Sequence, residues 1–464
     1  MSNKGAQANQ NISFERIRRI ADDKTATVHF VGVGGVSMYS LACLTMLSGA
    51  RVTGSDREAG ERTDTLIMKG AKISIGHSTD NVEGASLVVY THAIGEDNVE
   101  LWEARRLGIP TVNRAEYMGA MMLRYKNRIG ISGSHGKSTT VAMLDMIMAY
   151  AGVNPTVLSG ASLSVGEPLK VGSEGLMIYE ACEYKDSFLR FSPTVSLGLN
   201  LELDHTDYFN SIEEMKHSFS KALGKATAFS VISGDDENLR RILPSIKAKT
   251  VTFGCRENND YRYSITSFCD RGFEFALSKF GNTVGRFELN VPGVFNVHNA
   301  VAAAVVALEY GIDVEVIKDA LRDFRGIPRR LEFIGKRRGR AIYYDYAHHP
   351  TEIAASINAL RMLNHEPVTV VFCPHTYSRT KSLWQELRRS LTLADSVVLT
   401  EIYPAREEPI EGVTSERLAC DIGRTAVFLP DGEIIEYIDR ATDGIIVLMG
   451  AGDLEKIKKE IIED

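Results

Sequence analysis

A chain of 464 residues with a formal charge of −7 and 44% hydrophobic residues reads as a globular protein of two or three domains, each long enough to bury its own core. The basic residues are scattered, which excludes a phosphate-backbone footprint for nucleic acid, and no apolar run reaches the roughly 18 residues of a membrane span. The six cysteines form no C-x-x-C pair and read as reduced thiols of a cytoplasmic protein, not as a disulfide framework or a metal cage.

The first eleven residues are polar, carry no apolar secretory stretch, and are expected to form a disordered tail. Val28–Val31 then reads as a strand running into Gly32-Val33-Gly34-Gly35-Val36-Ser37-Met38, followed by an apolar helix to about Leu47. Arg51–Thr53 begins a second strand, ended by Gly54-Ser55-Asp56. A glycine turn between strand and helix, with an acid closing the next strand, resembles a dinucleotide fingerprint in which Met38 replaces the third glycine. Such a turn suits any pyrophosphate. Ala85–Tyr90 and Pro110–Asn113 complete a Rossmann-like domain.

The second domain opens on Gly133-Ser134-His135-Gly136-Lys137-Ser138-Thr139-Thr140. Arg128–Ile131 precedes it as a strand, and Met143, Met146, Ile147 and Tyr150 recur on one helix face beyond it. Strand, small-residue turn and helix is the context of a phosphate loop, where backbone N–H groups and the helix dipole meet an anion. Lys137 adds a point charge and the Ser138 hydroxyl is placed for Mg²⁺; the strict Walker spacing would need glycine where Ile131 stands. Leu176–Tyr179 delivers Glu180 at its carboxyl end, and Val195–Leu199 leads to Asn200, Asp204 and His205. Groups past the ends of parallel strands line the ligand crevice, so Glu180 and His205 are expected to face Lys137 and Ser138 as a metal-ligand set. The alternatives are a lysine partner for Glu180 and a satisfied loop position for His205.

Lys225–Glu288 reads as an antiparallel excursion of short alternating strands. Gly293-Val294-Phe295-Asn296-Val297-His298-Asn299 follows, with Asn296 as the N-cap of the apolar helix Ala300–Leu308, and His298 and Asn299 in its first turn. An asparagine amide can read adenine bidentately, or can simply start a helix. Gly326-Ile327-Pro328-Arg329-Arg330 reads as a hinge into a third domain. Its strands, Ala341–Tyr344, Val368–Phe372, Ser396–Thr400 and Gly444–Met449, run into Asp345-Tyr346-Ala347-His348, Pro374-His375-Thr376-Tyr377-Ser378-Arg379, Glu401-Ile402-Tyr403-Pro404-Ala405-Arg406 and Gly450-Ala451-Gly452-Asp453. Polar residues gathered at successive strand ends mark the crevice of a second doubly wound sheet. The fold class is α/β in three domains: a Rossmann-like domain over 1–125, a central P-loop-type ATP-binding α/β domain over 126–327, and a C-terminal Rossmann-like α/β domain over 328–464.

Five blocks in this order resemble the Mur ligase family, and within it the alanine-adding branch: G-V-G-G-V-S-M, G-S-H-G-K-S-T-T, E-A-C-E-Y-K-D-S-F-L with N-L-E-L-D-H-T-D-Y-F, H-N-A-V-A-A, and D-Y-A-H-H-P-T-E with P-H-T-Y-S-R-T. The resemblance implies that Gly32, Gly34 and Gly35 hold a uridine diphosphate, with Ser55, Asp56 and His77 nearby. Gly133, Ser134, His135, Gly136, Lys137, Ser138 and Thr139 would bind the ATP phosphates. Ser138 and Glu180 would ligate one Mg²⁺ and His205 a second; His298 and Asn299 would contact adenine, and Asp345 the ribose. Arg330 would sit by the transferred phosphoryl group, while Tyr346, His348, His375 and Arg379 would form the amino-acid pocket. The implied reaction joins L-alanine to the carboxylate of UDP-N-acetylmuramate through an acyl phosphate, with ATP and Mg²⁺, for peptidoglycan synthesis in the cytoplasm. Partners would be these small molecules, without nucleic acid or membrane, for a monomer or homodimer. The rivals are a tripeptide-recycling ligase of the same superfamily and a nicotinamide-dependent oxidoreductase, which gives no account of Lys137, Glu180 and His205. Ser37, Ser138 and Cys182 depart from the glycine, threonine and aspartate usual at those places, and Thr376 stands where some members carry an arginine.

Overall fold

The computed structural model describes residues 12–163, 166–205, 208–269, 272–364, 366–405, 407–440, 444–452 and 454–462. The polar N-terminal tail, Arg406 and Asp453 lie outside the described residues. The chain divides into two compact units, one comprising residues up to Val141 with Gly152–Thr252, the other Ala142–Ala151 with Phe253 onward. Among the described residues no helix is long and apolar enough to cross a membrane.

In the first unit, β1 (Thr27–Val31), β2 (Arg51–Asp56), β3 (Lys72–Ile75), β4 (Leu87–Tyr90) and β5 (Thr111–Asn113) form a parallel sheet in the order β3-β2-β1-β4-β5. The order reverses between β1 and β4, and a crevice opens at that switch point beyond the strands' carboxyl ends. The sequence pattern did not signal β3, an edge strand with no fully buried residue. A second sheet is built from β6 (Asn127–Ser132), β7 (Pro155–Leu158), β8 (Leu169–Lys170), β9 (Ser173–Glu180), β10 (Val195–Gly198) and β11 (Phe229–Ser233), in the order β11-β10-β6-β9-β7-β8. Only β8 runs antiparallel there.

The two sheets of this unit share one apolar cluster, while Val31, Val82, Val88, Leu101 and Ala104 form a smaller one on the first sheet. The shared cluster runs from Ile17 and Phe30 through Tyr117, Tyr179 and Phe191 to Phe219. Phe30 meets Tyr117 edge-on at 5.5 Å and Tyr179 meets Phe191 edge-on at 5.4 Å, the geometry that aromatic quadrupoles favour.

The second unit takes up the end of β12 (Thr250–Gly254), where Phe253 and Gly254 pair in parallel with β13 (Tyr261–Cys269), which folds antiparallel against β14 (Gly272–Lys279), and β14 against β15 (Asn282–Leu289). The antiparallel excursion expected from Lys225 therefore begins only at Tyr261. Phe229–Ser233 is a buried parallel strand without a clean alternation, and Thr250–Gly254 alternates in burial yet also pairs in parallel. The helix Val294–Glu309 is capped by Gly293 at φ 92°, and Asn296 lies inside its first turn, donating from Nδ2 to the Pro292 carbonyl at 2.7 Å. The Asn296 cap is thus corrected. A residue with a side chain would be strained at the positive φ that starts this helix, so glycine takes the position.

The last sheet has six strands, β16 (Glu332–Arg337), β17 (Arg340–Asp345), β18 (Val368–Phe372), β19 (Ser396–Leu399), β20 (Ala426–Phe428) and β21 (Ile445–Met449), in the order β16-β17-β21-β18-β19-β20. The four anticipated strands form its centre; antiparallel β16 and three-residue β20 are edges with weak apolar patterns. Side chains alternate between its faces, Val368, Val370, Phe372 and Val447 into one core and Val371, Ile446 and Leu448 into the other.

Candidate active site

The glycine turn after β1 is fastened from the neighbouring strand. Gly32, at φ 80°, and Val33 both donate their N–H to the Ser55 carbonyl, at 2.8 and 3.0 Å. Gly34 donates to Asp56 Oδ2 at 2.8 Å. The N–H groups of Gly32 and Gly34 are thus engaged within the turn. What the turn leaves for an anion is the start of the helix Val36–Ser48, whose first ladder bond is Tyr39 N–H to the Gly35 carbonyl. Arg62, absent from the sequence reading, reaches the Gly34 carbonyl with Nη1 at 3.1 Å.

Beneath Ser55 lies a second omission, Glu100, which has no exposed surface. Its Oε2 accepts from Ser55 Oγ at 2.6 Å and lies 3.0 Å from His77 Nδ1; its Oε1 accepts from Asn81 Nδ2 at 2.5 Å. His29 Nε2 stands 3.9 Å away. Burial pushes the Glu100 carboxyl up, but His29, Ser55 and Asn81 overcome it and hold it at about 2. A single glutamate at the start of a helix gives no sequence signal of this kind.

The turn after β6 carries the phosphate-loop residues. Gly133 adopts φ 151°, and a Cβ there would lie 3.0 Å from the Leu199 side chain. Ser134 N–H donates to the Asn200 carbonyl at 3.2 Å, His135 N–H to Asn200 Oδ1 at 2.8 Å, and Ser134 Oγ to the Glu202 carbonyl at 2.9 Å. His135 Nε2 lies 3.2 Å from Glu202. Beyond Gly136 the helix Lys137–Tyr150 begins, and its first N–H groups, on Lys137, Ser138 and Thr139, lie outside the ladder that starts with Thr140 N–H to the Gly136 carbonyl. Ser138 and Thr139 are almost wholly buried.

Lys137 turns back on this turn. Its ammonium donates to the Gly133 carbonyl at 2.5 Å and meets both oxygens of Glu183 at 3.2 Å. Burial disfavours the ammonium, and the Glu183 carboxylate, with Glu180 adding to the field, overcomes that and raises its pKa. Glu183 is 1% exposed and is likewise held ionised against burial by Lys137 and His205, whose Nε2 stands 3.6 Å from it. Glu183 stands in the E-A-C-E-Y-K-D block, yet the sequence reading passed over it.

Glu180, level with Ile131 across the β6–β9 pair, accepts from Ser159 Oγ and Gly160 N–H, both at 2.7 Å and both on Oε1. The lysine partner weighed for Glu180 is thus Glu183's. His205 adopts φ 54° and stacks at a tilt on Tyr184, with ring centroids 4.8 Å apart. Lys185 and Asp186 also have positive φ, so three of the non-glycine residues around this cluster hold a strained backbone.

In the second unit His298 packs against Phe253, ring centroids 4.8 Å apart, with Nδ1 3.4 Å from Tyr263 Oη. Asn299 is 4% exposed and donates to Asn296 Oδ1 at 3.3 Å, which places its amide within the helix packing and not on an open face. Asp345 is likewise buried: its carboxylate accepts from Ser356 Oγ, and burial, opposed by Ser356 and Arg330, raises it to about 6. The structure thus gives this residue an inward hydrogen bond where the sequence reading expected a ribose contact.

Arg330 lies over the Tyr346 ring at 5.1 Å, with Nη1 4.0 Å from Glu352. Glu352 also accepts from the N–H groups of His348 and His349, both at 3.2 Å. The four residues expected to form the amino-acid pocket come together as a chain of contacts. Tyr346 meets His348 at 5.4 Å, His348 faces His375 at 6.0 Å, and Arg379 Nη1 lies 3.4 Å from His375 Nδ1. Tyr403, stacked on His375 at 5.8 Å, extends the set.

Family models match three stretches of the chain: "Mur ligase family, catalytic domain" over residues 27–126, "Mur ligase middle domain" over 131–307, and "Mur ligase, glutamate ligase domain" over 329–454. The chain is 39% identical over 461 residues to the UDP-N-acetylmuramate–L-alanine ligase of Acetivibrio thermocellus, covering 97% of this chain and 98% of that one. It is 40% identical over 443 residues to the enzyme of the same name from Caldicellulosiruptor saccharolyticus, covering 93% and 97%. The crystal structure of the UDP-N-acetylmuramate–alanine ligase from Thermotoga maritima superposes with a TM-score of 0.81 at 28% identity, covering 94% of this chain and 98% of that one. A murein peptide ligase from Psychrobacter arcticus shares the fold, with a TM-score of 0.71 at 23% identity and 94% and 98% coverage.

Proposed function

The chain belongs to the Mur ligase family, and from that premise we infer that it is an ATP-dependent ligase joining L-alanine to the carboxylate of UDP-N-acetylmuramate, with release of ADP and phosphate, in peptidoglycan precursor synthesis. The observation that carries the reading is the convergence of Lys137, at the start of a helix after a phosphate-type turn, with His205 on the buried carboxylate of Glu183. We divide the chain at 125 and 327, and the three matched stretches support that division.

A carboxylate does not condense with an amine at neutral pH, because oxide is no leaving group. Attack of the carboxylate oxygen on the γ-phosphorus breaks the bond to ADP and forms an acyl phosphate, whose leaving group is phosphate. The alanine amine, having shed its proton, then attacks the acyl carbon, and the C–O bond to phosphate breaks as the amide forms. The first step brings two anions together, so cations must stand between them. Lys137 supplies one, and its exchange of Glu183 for a phosphate oxygen keeps the ammonium paired throughout.

Ser138 Oγ and Glu180 Oε2, the oxygen outside the Ser159 and Gly160 bonds, are hard donors of the kind that would hold Mg²⁺; the His205 imidazole is a softer donor. Mg²⁺ held by these residues would supply charge neutralisation for the first step. His298 against Phe253 and Tyr263 offers an aromatic wall suited to adenine. Arg330, held over Tyr346, is suited to the transferred phosphoryl group, and Arg379 to the alanine carboxylate. ADP release with UDP-N-acetylmuramate and ATP, measured across the standard amino acids, tests the reading: L-alanine gives the highest kcat/KM, and the absence of amino-acid-dependent ADP release rejects it.

A further inference from the structure

A carboxylate with no exposed surface is an expensive way to fill a core. Replacing such a group by apolar packing commonly leaves stability unchanged or raises it, so a fold has no need of Glu100 for cohesion alone. Its surroundings point elsewhere. Glu100 sits in the first turn of the helix Val99–Arg106, where the helix dipole favours a negative charge. Its donors come from three other segments: Ser55 at the carboxyl end of β2, His77 just past β3, and Asn81 in the short helical turn Thr79–Val82.

Two of these lie at the carboxyl end of the parallel sheet, Ser55 wholly buried and His77 partly exposed. Ser55 is the residue whose carbonyl receives the Gly32 and Val33 N–H groups, so the carboxylate that fixes its hydroxyl also braces the glycine turn. His77 presents Nδ1 to the same carboxylate oxygen, which commits that nitrogen inward and leaves Nε2 for a ligand. A buried group that orients residues one layer above it governs their geometry as strongly as a direct contact.

We propose that Glu100 is the positioning residue of the nucleotide-sugar site: by holding Ser55 and His77 together it presents the Gly32–Gly34 turn and the His77 ring to the uridine diphosphate in a single arrangement. The proposal rests on the reading of that turn as the site for UDP-N-acetylmuramate.

The test is Glu100→Gln, which keeps the size and an acceptor oxygen and removes the charge. The KM for UDP-N-acetylmuramate rises by about tenfold or more, the worth of a lost charge-assisted hydrogen bond. The KM for ATP, the KM for L-alanine and kcat stay within about twofold. Combined with His77→Ala, the substitution gives less than the sum of the two single effects, because part of what Glu100 does passes through that ring. Asn81→Ala, which frees only Oε1, raises the same KM by less and serves if Glu100→Gln does not fold. Additive effects in the double variant, a uniform change in all three KM values, or an unchanged KM in the folded variants overturns the proposal. Calorimetric titration with UDP reads the site without turnover: a weaker affinity in Glu100→Gln supports the proposal even where ligation is not observed. Failure of wild-type ligation would count against the proposed reaction alone.

Discussion

The Lys137 ammonium lies at equal distance, 3.2 Å, from the two carboxylate oxygens of Glu183, and the glutamate is 1% exposed. Removing the lysine therefore does two things. Lys137→Ala abolishes ADP release, and it leaves a buried carboxylate without its main counter-ion, which costs about 3 kcal/mol of stability. The double variant Lys137→Ala/Glu183→Ala regains most of the lost Tm and none of the activity. Appreciable turnover in either variant would remove Lys137 from the phosphate site.

Arg379→Ala raises the KM for L-alanine by about tenfold to a hundredfold, with the KM for ATP nearly unchanged, as expected for loss of a guanidinium–carboxylate pair. Arg379→Lys does not restore it, because a point charge cannot reproduce the planar fork. Initial-rate kinetics varying one substrate at a time decide the matter: equal changes in both KM values would dissolve the acceptor pocket.

Glu180→Gln raises the Mg²⁺ concentration required for half-maximal ADP release by about tenfold, since a hard cation loses an anionic oxygen. The Ser159 and Gly160 donors lie on Oε1 and still have an acceptor, so the melting temperature stays close to that of the parent. An unaltered Mg²⁺ requirement would place the cation elsewhere.

Asp345 gives the fold a pH dependence of defined sign. Burial raises its carboxyl from 3.8 to about 6 in the folded chain. Between those values the native state holds a proton that the unfolded chain has released. Stability from this residue is therefore fully present below the unfolded value and falls as pH rises through the folded one, by about 3 kcal/mol in all. Asp345→Asn flattens that part of the profile in urea unfolding followed from about pH 4 to about pH 7. A slope unaffected by the substitution would assign the dependence to other groups.

Much of this architecture is legible in the sequence because parallel α/β sheets write their signals twice, as apolar strand runs and as the polar residues at the strand ends. Val28–Val31, Val368–Phe372 and Val195 onward all coincide with strands of the structure. Edge strands escaped: Lys72–Ile75 and Glu332–Arg337 carry no buried run. The shared core under the first two sheets is invisible to periodicity, because contact between Tyr117 and Phe30, or between Tyr179 and Phe191, is a property of the whole unit.

At the site, spacing exposed the turn residues and the strand-end histidines. It did not reveal which of Glu180 and Glu183 would take the lysine, since the segment from Tyr184 to Arg190 turns through positive φ at Lys185 and Asp186. Nor could it find Glu100, whose importance lies in partners contributed by three other stretches of chain.

The hydroxyl of Ser55 has one hydrogen, and that hydrogen points at Glu100. Ser55 has no exposed surface, so its oxygen is closed to a ligand and the bond acts wholly from within. What a nucleotide can meet is the glycine turn whose N–H groups rest on the Ser55 carbonyl, and that turn is held in shape from beneath. A change at Glu100 therefore reaches the surface only through the turn and the His77 ring, however far the ligand itself lies from the carboxylate.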